Sequence, residues 1–217
     1  MKLYDYWRSS AAYRVRIALN LKGIEYESIP IPLVGPGGAP GKQFSEEYLA
    51  MNPQGRVPFL DDGKIALGQS QAILEYIEEA YPDTPLLPGS AIARAHVRSF
   101  CAMIACDIHP LNNSSVMAYL KRDLGVSDDE YLAWYAHWIQ RGFRAGEKFA
   151  KENSENGEFV CGENVTLADC FLVPQMYNAH RFGVDVSEFP TLNAIVDACN
   201  KLPPFAAAIP EAQADTE

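Results

Sequence analysis

The chain lacks the marks of several large protein classes. Nowhere in its 217 residues is there an apolar run approaching the ~20 needed to span a bilayer, so no membrane partner is expected. Its five cysteines (Cys101, Cys106, Cys161, Cys170 and Cys199) include no C-x-x-C pair and no pair at zinc-finger spacing. That disfavours a disulfide framework, a redox dithiol and a structural metal. Met1–Tyr6 lacks the apolar stretch of a secretion signal and reads as a strand, so a reduced, cytoplasmic setting is expected. Basic residues are few: 18 Lys and Arg stand against 28 Asp and Glu, for a formal net charge of −10. Such a surface, with no basic run, repels phosphate backbones, so no nucleic-acid partner is expected. A small anion is not excluded, because local arginines and helix ends outweigh distant charge.

What is present changes character near residue 85. Before it, strand and helix patterns alternate. Lys2–Trp7 is rich in β-forming aromatics, and Tyr13, Val15, Ile17, Ala18 and Leu21 form a helical stripe closed by Gly23. Tyr26–Leu33 reads as a strand demoted to an edge by Pro30 and Pro32. Gly35–Gly41 reads as a loop, Ser45 starts a short helix, and Arg56–Leu60 with Ile65–Leu67 forms a hairpin around Asp61–Lys64. Ser70–Ala80 is the next helix, giving the order βαβαββα. Beyond the proline-rich stretch Pro82–Pro88 every strong pattern is helical: about 90–120, 128–151, 166–182 and 190–201. The fold class is therefore α/β followed by all-α, with domains at 1–82 and 90–217 and a linker at 83–89.

Three features of the first domain point to a ligand. Pro58 heads a strand expected to be internal, where it has no amide for a ladder bond; this fits a cis peptide that turns the Val57 backbone outward. Gln69-Ser70 opens a helix, with Ser70 a natural N-cap. Ser9-Ser10 sits where the first strand meets the first helix, the sheet edge at which ligands gather.

Together these resemble the thioredoxin-like domain of cytosolic glutathione transferases, and Arg8–Gly23 (RSSAAYRVRIALNLKG) resembles the signature of the zeta class. Further matches follow in order: Gln43-Phe44-Ser45, Asn52-Pro53, Val57-Pro58, Gln69-Ser70, Asp107–Asn113, Val165–Asp169 and Leu172–Gln175. They span nearly the whole chain. Ala11 stands where the class motif commonly carries a cysteine, and Ser114 stands where its maleylpyruvate isomerases carry an arginine. The second departure favours maleylacetoacetate as substrate.

The resemblance implies a glutathione-dependent cis–trans isomerase of tyrosine and phenylalanine breakdown, acting on a diketo dicarboxylate as a homodimer. Glutathione would be the cofactor and its sulfur the nucleophile. Ser9 and Ser10 would be catalytic, one of them (Ser9 preferred) donating a hydrogen bond to the thiolate. Gln69 and Ser70 would bind the γ-glutamyl carboxylate, the backbone at Val57-Pro58 the cysteinyl part, and Gln43 the glycine end. His109 and Asn113, read as one turn apart on one helical face, would also contact glutathione. Arg8 and Arg181 would bind substrate carboxylates, whereas Arg14 and Arg16 suit packing or ion pairing. Cys106, Asp107 and His109 lie too close along one helical turn to converge on a metal. Thr166-x-x-Asp169 is a capping box with a structural role.

Each residue also has a plainer reading: Ser9, Ser10 and Ser70 as helix caps, His109 as a structural histidine, the arginines as solvated charges. The rival functions are maleylpyruvate isomerisation, transfer of glutathione to α-haloacids, and a non-catalytic binding scaffold. Retention of the polar residues above argues against the scaffold.

Overall fold

The computed structural model describes residues 1–35, 39, 41–154 and 157–216. The chain divides into two compact units: Met1–Pro85 together with the segment from Leu202 onward, and Leu86–Lys201. The division falls within the proline-rich linker. The segment from Leu202 departs from the boundary expected at 90–217 because its polar contacts lie in the first unit. Arg16 Nε donates to Ala208 C=O at 3.0 Å, and Asn20 Nδ2 donates to Pro204 C=O at 3.0 Å.

The first unit runs β1 (Lys2–Asp5), α1 (Ser10–Leu21), β2 (Glu27–Pro30), α2 (Glu46–Met51), β3 (Phe59–Asp61), β4 (Ala66–Gly68) and α3 (Ser70–Ala80). The sheet order is β2-β1-β3-β4, with β1 parallel to β2 and antiparallel to β3, and β3 antiparallel to β4. Alternation along the strands builds two cores. Leu3 and Leu60 face Val15, Leu19, Ile73 and Ile77 from α1 and α3. Phe59 faces the other way and packs with Tyr6, Trp7, Ile31, Tyr48 and Val57.

Strand bounds are shorter than the β-propensity suggests. Regular pairing in β2 ends at Pro30, with one further bond from Ile31 N–H to Asp5 C=O at 2.7 Å, and β3 begins after Pro58, which has no N–H to donate. The Val57–Pro58 peptide is cis, as expected. The loop expected at 35–41 lies mostly outside the described residues, at 36–38 and 40.

The second unit is helical: α4 (Ala91–Ala102), α5 (His109–Asn112), α6 (Ser114–Arg122), α7 (Asp128–Asn153), α8 (Leu167–Arg181) and α9 (Pro190–Asn200). The first unit then adds α10 (Pro203–Ala206). The helix expected over 90–120 is broken. A π-helical turn spans Met103–Ile108, and Asn113 has extended backbone (φ −73°, ψ 160°). Its Oδ1 accepts the N–H groups of Ser115 and Val116 at 3.0 and 3.2 Å, so Asn113 starts α6 rather than continuing α5. α8 is the hub, buried almost throughout from Leu167 to Met176. Its capping box is present: Asp169, fully buried, accepts from Thr166 N–H at 2.8 Å and Val160 N–H at 2.9 Å. Among the described residues no helix is long and apolar enough to cross a membrane.

Candidate active site

Ser9 is the N-cap of α1. Its backbone is extended (φ −70°, ψ 112°), and its Oγ accepts the Ala12 N–H at 3.3 Å. Capping uses an oxygen lone pair, so the O–H bond remains a donor for another acceptor. None of the first-turn residues of α1 is acidic, so the helix's own side chains do not neutralise its positive end. Ser10, the first helical residue, is buried, whereas Ser9 is half-buried. Ahead of them Arg8 is held on an aromatic platform. Its Nε and Nη2 donate to the Tyr6 hydroxyl at 3.2 and 2.8 Å, and its guanidinium lies 4.5 Å from the Trp7 ring centre.

The start of α3 lies beside α1. Arg14, buried on α1, donates from Nη1 to Ser70 Oγ at 3.2 Å. The cap of α3 is Gln69, not Ser70: Ser70 is already helical, and Gln69 has φ +68°, the only non-glycine with positive φ among the described residues. Left-handed backbone at such a residue costs on the order of 1–3 kcal/mol and concentrates at binding sites. Gln69 makes no side-chain cap bond, and the first turn of α3 holds no acid, so these amides also suit an anion. The Gln69 Nε2 instead donates to Gln54 Oε1 at 2.7 Å.

Gln54 leads to the Val57 segment. Arg56 C=O accepts from the Tyr48 hydroxyl and from Asn52 Nδ2, each at 2.7 Å, which pins the backbone just before Val57-Pro58. Tyr48 and Asn52 were not expected site residues; the only sequence signal for either was the Asn52-Pro53 match. Gln43 is buried. Its Nε2 donates to Leu33 C=O at 2.9 Å, while its buried Oε1 has no hydrogen-bond partner among the described residues. Its backbone borders Gly55, where a Cβ would come within 3.1 Å of Gln43 O. In the first unit, then, Arg14 of α1 bonds Ser70, Gln69 bonds Gln54, and Gly55 borders Gln43.

Three expected residues belong to the second unit. His109 is half-buried at the start of α5, with Pro110 next to it. Asn113 is committed as the α6 cap, and its Nδ2 donates to Pro110 C=O at 2.9 Å, so the two do not share one continuous helical face. Arg181 is exposed in the last turn of α8, its guanidinium 5.0 Å from the Phe182 ring, which stacks on Tyr135 at 3.9 Å. Burial pushes the Tyr135 hydroxyl pKa up, with Arg181 pulling against it.

Residues 3–85 match the family model of the glutathione S-transferase N-terminal domain, and residues 129–203 that of the C-terminal domain. The chain is 46% identical to a probable maleylacetoacetate isomerase of Vibrio cholerae, over 98% of this chain and 97% of that one. It superposes on the holo structure of a bacterial zeta-class maleylpyruvate isomerase with a TM-score of 0.95, at 42% identity and 100% coverage of both chains. A maleylacetoacetate isomerase from Methylobacterium extorquens, solved with bound malonate and glutathione, gives a TM-score of 0.92 at 38% identity, again with 100% coverage of both.

Proposed function

Because the chain belongs to the zeta class of glutathione transferases, we propose that it is a glutathione-dependent cis–trans isomerase converting maleylacetoacetate to fumarylacetoacetate. The observation that carries this reading is the Ser9 cap: one oxygen lone pair serves Ala12, leaving the hydroxyl proton and the start of α1, with no acid in its first turn, for an anion. The residues present fit the cofactor. Two helix starts without acids in their first turns suit its charged groups, and the buried Gln43 Oε1 offers an acceptor.

When bound, glutathione supplies the sulfur that adds to the cis double bond and departs after rotation about it. The chain's own task is to keep that sulfur ionised. A free thiol of pKa ~8.5 is only about 3% thiolate at pH 7, and lowering it by two units needs about 2.7 kcal/mol. A hydrogen bond from Ser9 to a charged acceptor contributes about 1.5–3 kcal/mol, and the α1 end about 0.3–1, rising to ~2 when partly buried. The two together supply about 1.8–5 kcal/mol, a range that brackets the requirement.

Ser10 stands beside Ser9 as the second candidate donor. Gln69 and Ser70 orient the γ-glutamyl carboxylate, Val57 and Pro58 present backbone to the cysteinyl part, and Gln43 serves the glycine end. Arg8 in the first unit and Arg181 in the second are proposed from their own surroundings: the stacked guanidinium of Arg8 and the exposed one of Arg181 suit substrate carboxylates. His109 and Asn113 are assigned to glutathione by class resemblance alone, the Asn113 side chain serving also as the α6 cap. A cytoplasmic homodimer completes the reading, supported by five free cysteines and by class resemblance.

Maleylpyruvate is the second reading, favoured by the likeness to the maleylpyruvate isomerase structure. Assays of maleylacetoacetate, maleylpyruvate and an α-haloacid, each with and without glutathione, test the proposal. Faster turnover of maleylacetoacetate, dependent on glutathione, is expected. Turnover that is unchanged without glutathione contradicts it.

A further inference from the structure

The peptide of Trp7, two residues ahead of Ser9, is gripped on both sides. Its N–H donates to Asp215 Oδ2 at 3.1 Å, and its C=O accepts from Arg16 Nη2 at 3.0 Å. Arg16 is fully buried, and its Nη1 is held by both Asp5 oxygens at 2.9 and 2.8 Å. The turn then closes on itself: Ser9 N–H donates to Tyr6 C=O at 2.8 Å.

Regular structure does not otherwise fix this stretch. The β1 ladder ends at Asp5 and α1 begins at Ser10, so the backbone of residues 6–9 is set by such individual bonds together with the packing of the Tyr6 and Trp7 side chains. Trp7 also carries the guanidinium of Arg8 on its ring. A shift of the Trp7 peptide would therefore move the Arg8 platform and the Ser9 hydroxyl together. The placement of Asp215 also has a cost. Its charge acts against the Asp5 carboxylate, which burial already pushes up and which Arg16 pulls back.

The geometry points to Asp215 as a positioning residue that, through the Trp7 amide, sets the Arg8-Ser9-Ser10 turn where the Ser9 hydroxyl meets the bound thiol. This rests on the thiolate reading above. It assigns a role in the reaction to a residue far along the chain that touches neither cofactor nor substrate.

The test compares wild type, Asp215→Ala and Asp215→Asn. It follows the ultraviolet absorbance of bound glutathione thiolate against pH, together with kcat and KM. Asp215→Ala is expected to raise the apparent pKa of the bound thiol by about 1–1.5 units. It should lower kcat about 3–8-fold near neutrality, a loss that shrinks at higher pH where the thiol ionises unaided. Asp215→Asn, whose amide oxygen can accept the same N–H, should return both to within about twofold of wild type. Should Asp215→Ala not fold, Asp215→Glu, whose acceptor is displaced by one methylene, replaces it with the same expected direction. An unchanged titration in Asp215→Ala overturns the inference. So does equal impairment in Asp215→Asn, because the effect would then belong to charge and not to the bond. If wild type lowers the thiol pKa and the variants do not alter it, the inference alone falls. If wild type leaves the thiol at its free value, the thiolate reading falls and takes this inference with it.

Discussion

Arg14 Nη1 and Ser70 Oγ meet at 3.2 Å, joining the first helix of the chain to the start of α3 inside the protein. Ser70 therefore accepts one N–H of a buried guanidinium, besides its proposed place at one end of an anion site. Ser70→Ala removes an acceptor from Arg14 and should cost about 1–3 kcal/mol of stability. It should also raise KM for glutathione about tenfold, with kcat changed less than threefold. Thermal melting and steady-state kinetics separate the two duties; a lower Tm with KM unaltered would assign Ser70 to structure alone.

Glu147 on α7 caps α9 from outside that helix. Its carboxylate accepts the N–H groups of Thr191 and Leu192 at 3.1 and 3.0 Å and pairs with Lys151 at 3.1 Å. Burial pushes this carboxyl up, but the amides and Lys151 outweigh it and leave the pKa below the ordinary value. A depressed folded-state pKa contributes stability that is full above the unfolded value and disappears as pH falls through the folded one. Glu147→Gln should therefore cost about 1–2 kcal/mol near neutrality, and the difference from wild type should shrink below about pH 4.5. Urea denaturation at the two pH values checks this.

Asp169 should behave in the opposite sense. Complete burial raises its pKa to about 6, against the bonds from Val160 and Thr166 that favour the anion. The folded chain then holds a proton that the unfolded chain releases between about pH 4 and 6, so stability from this group increases as pH falls across that window. The stability of wild type relative to Asp169→Asn should grow by about 1–3 kcal/mol on going from about pH 7 to pH 4.5. A difference that is constant with pH would mean that Asp169 titrates normally.

Much of this was legible in the sequence. Alternation placed the strands, glycine and serine marked the ends of α1, and a proline heading an internal strand signalled the cis bond at Val57–Pro58. Arg14 and Arg16 read as packing residues, and both are buried in the structure. What could not be read depends on contacts distant along the chain or on a single backbone choice. Asn113 fits a helical stripe by spacing, yet its side chain competes for the amides of Ser115 and Val116 and breaks the helix. The cap of α3 shifted to Gln69 because a positive φ at a non-glycine leaves no trace in composition. The grip of Tyr48 and Asn52 on Arg56 C=O, and of Asp215 on Trp7, join residues with no local pattern to announce them.

The account depends most on the state of the sulfur, and the pH titration of thiolate absorbance for glutathione bound to wild type, Ser9→Ala and Ser10→Ala measures it directly. The expected result is a bound-thiol pKa about two units below the free value in wild type. It should rise by about one unit or more in Ser9→Ala and by less in Ser10→Ala, with kcat near neutrality falling about 10–100-fold in the former. A wild-type thiol that titrates at its free value, or a Ser9→Ala variant indistinguishable from wild type, would contradict the claim that the Ser9 hydroxyl and the start of α1 hold the nucleophile ionised.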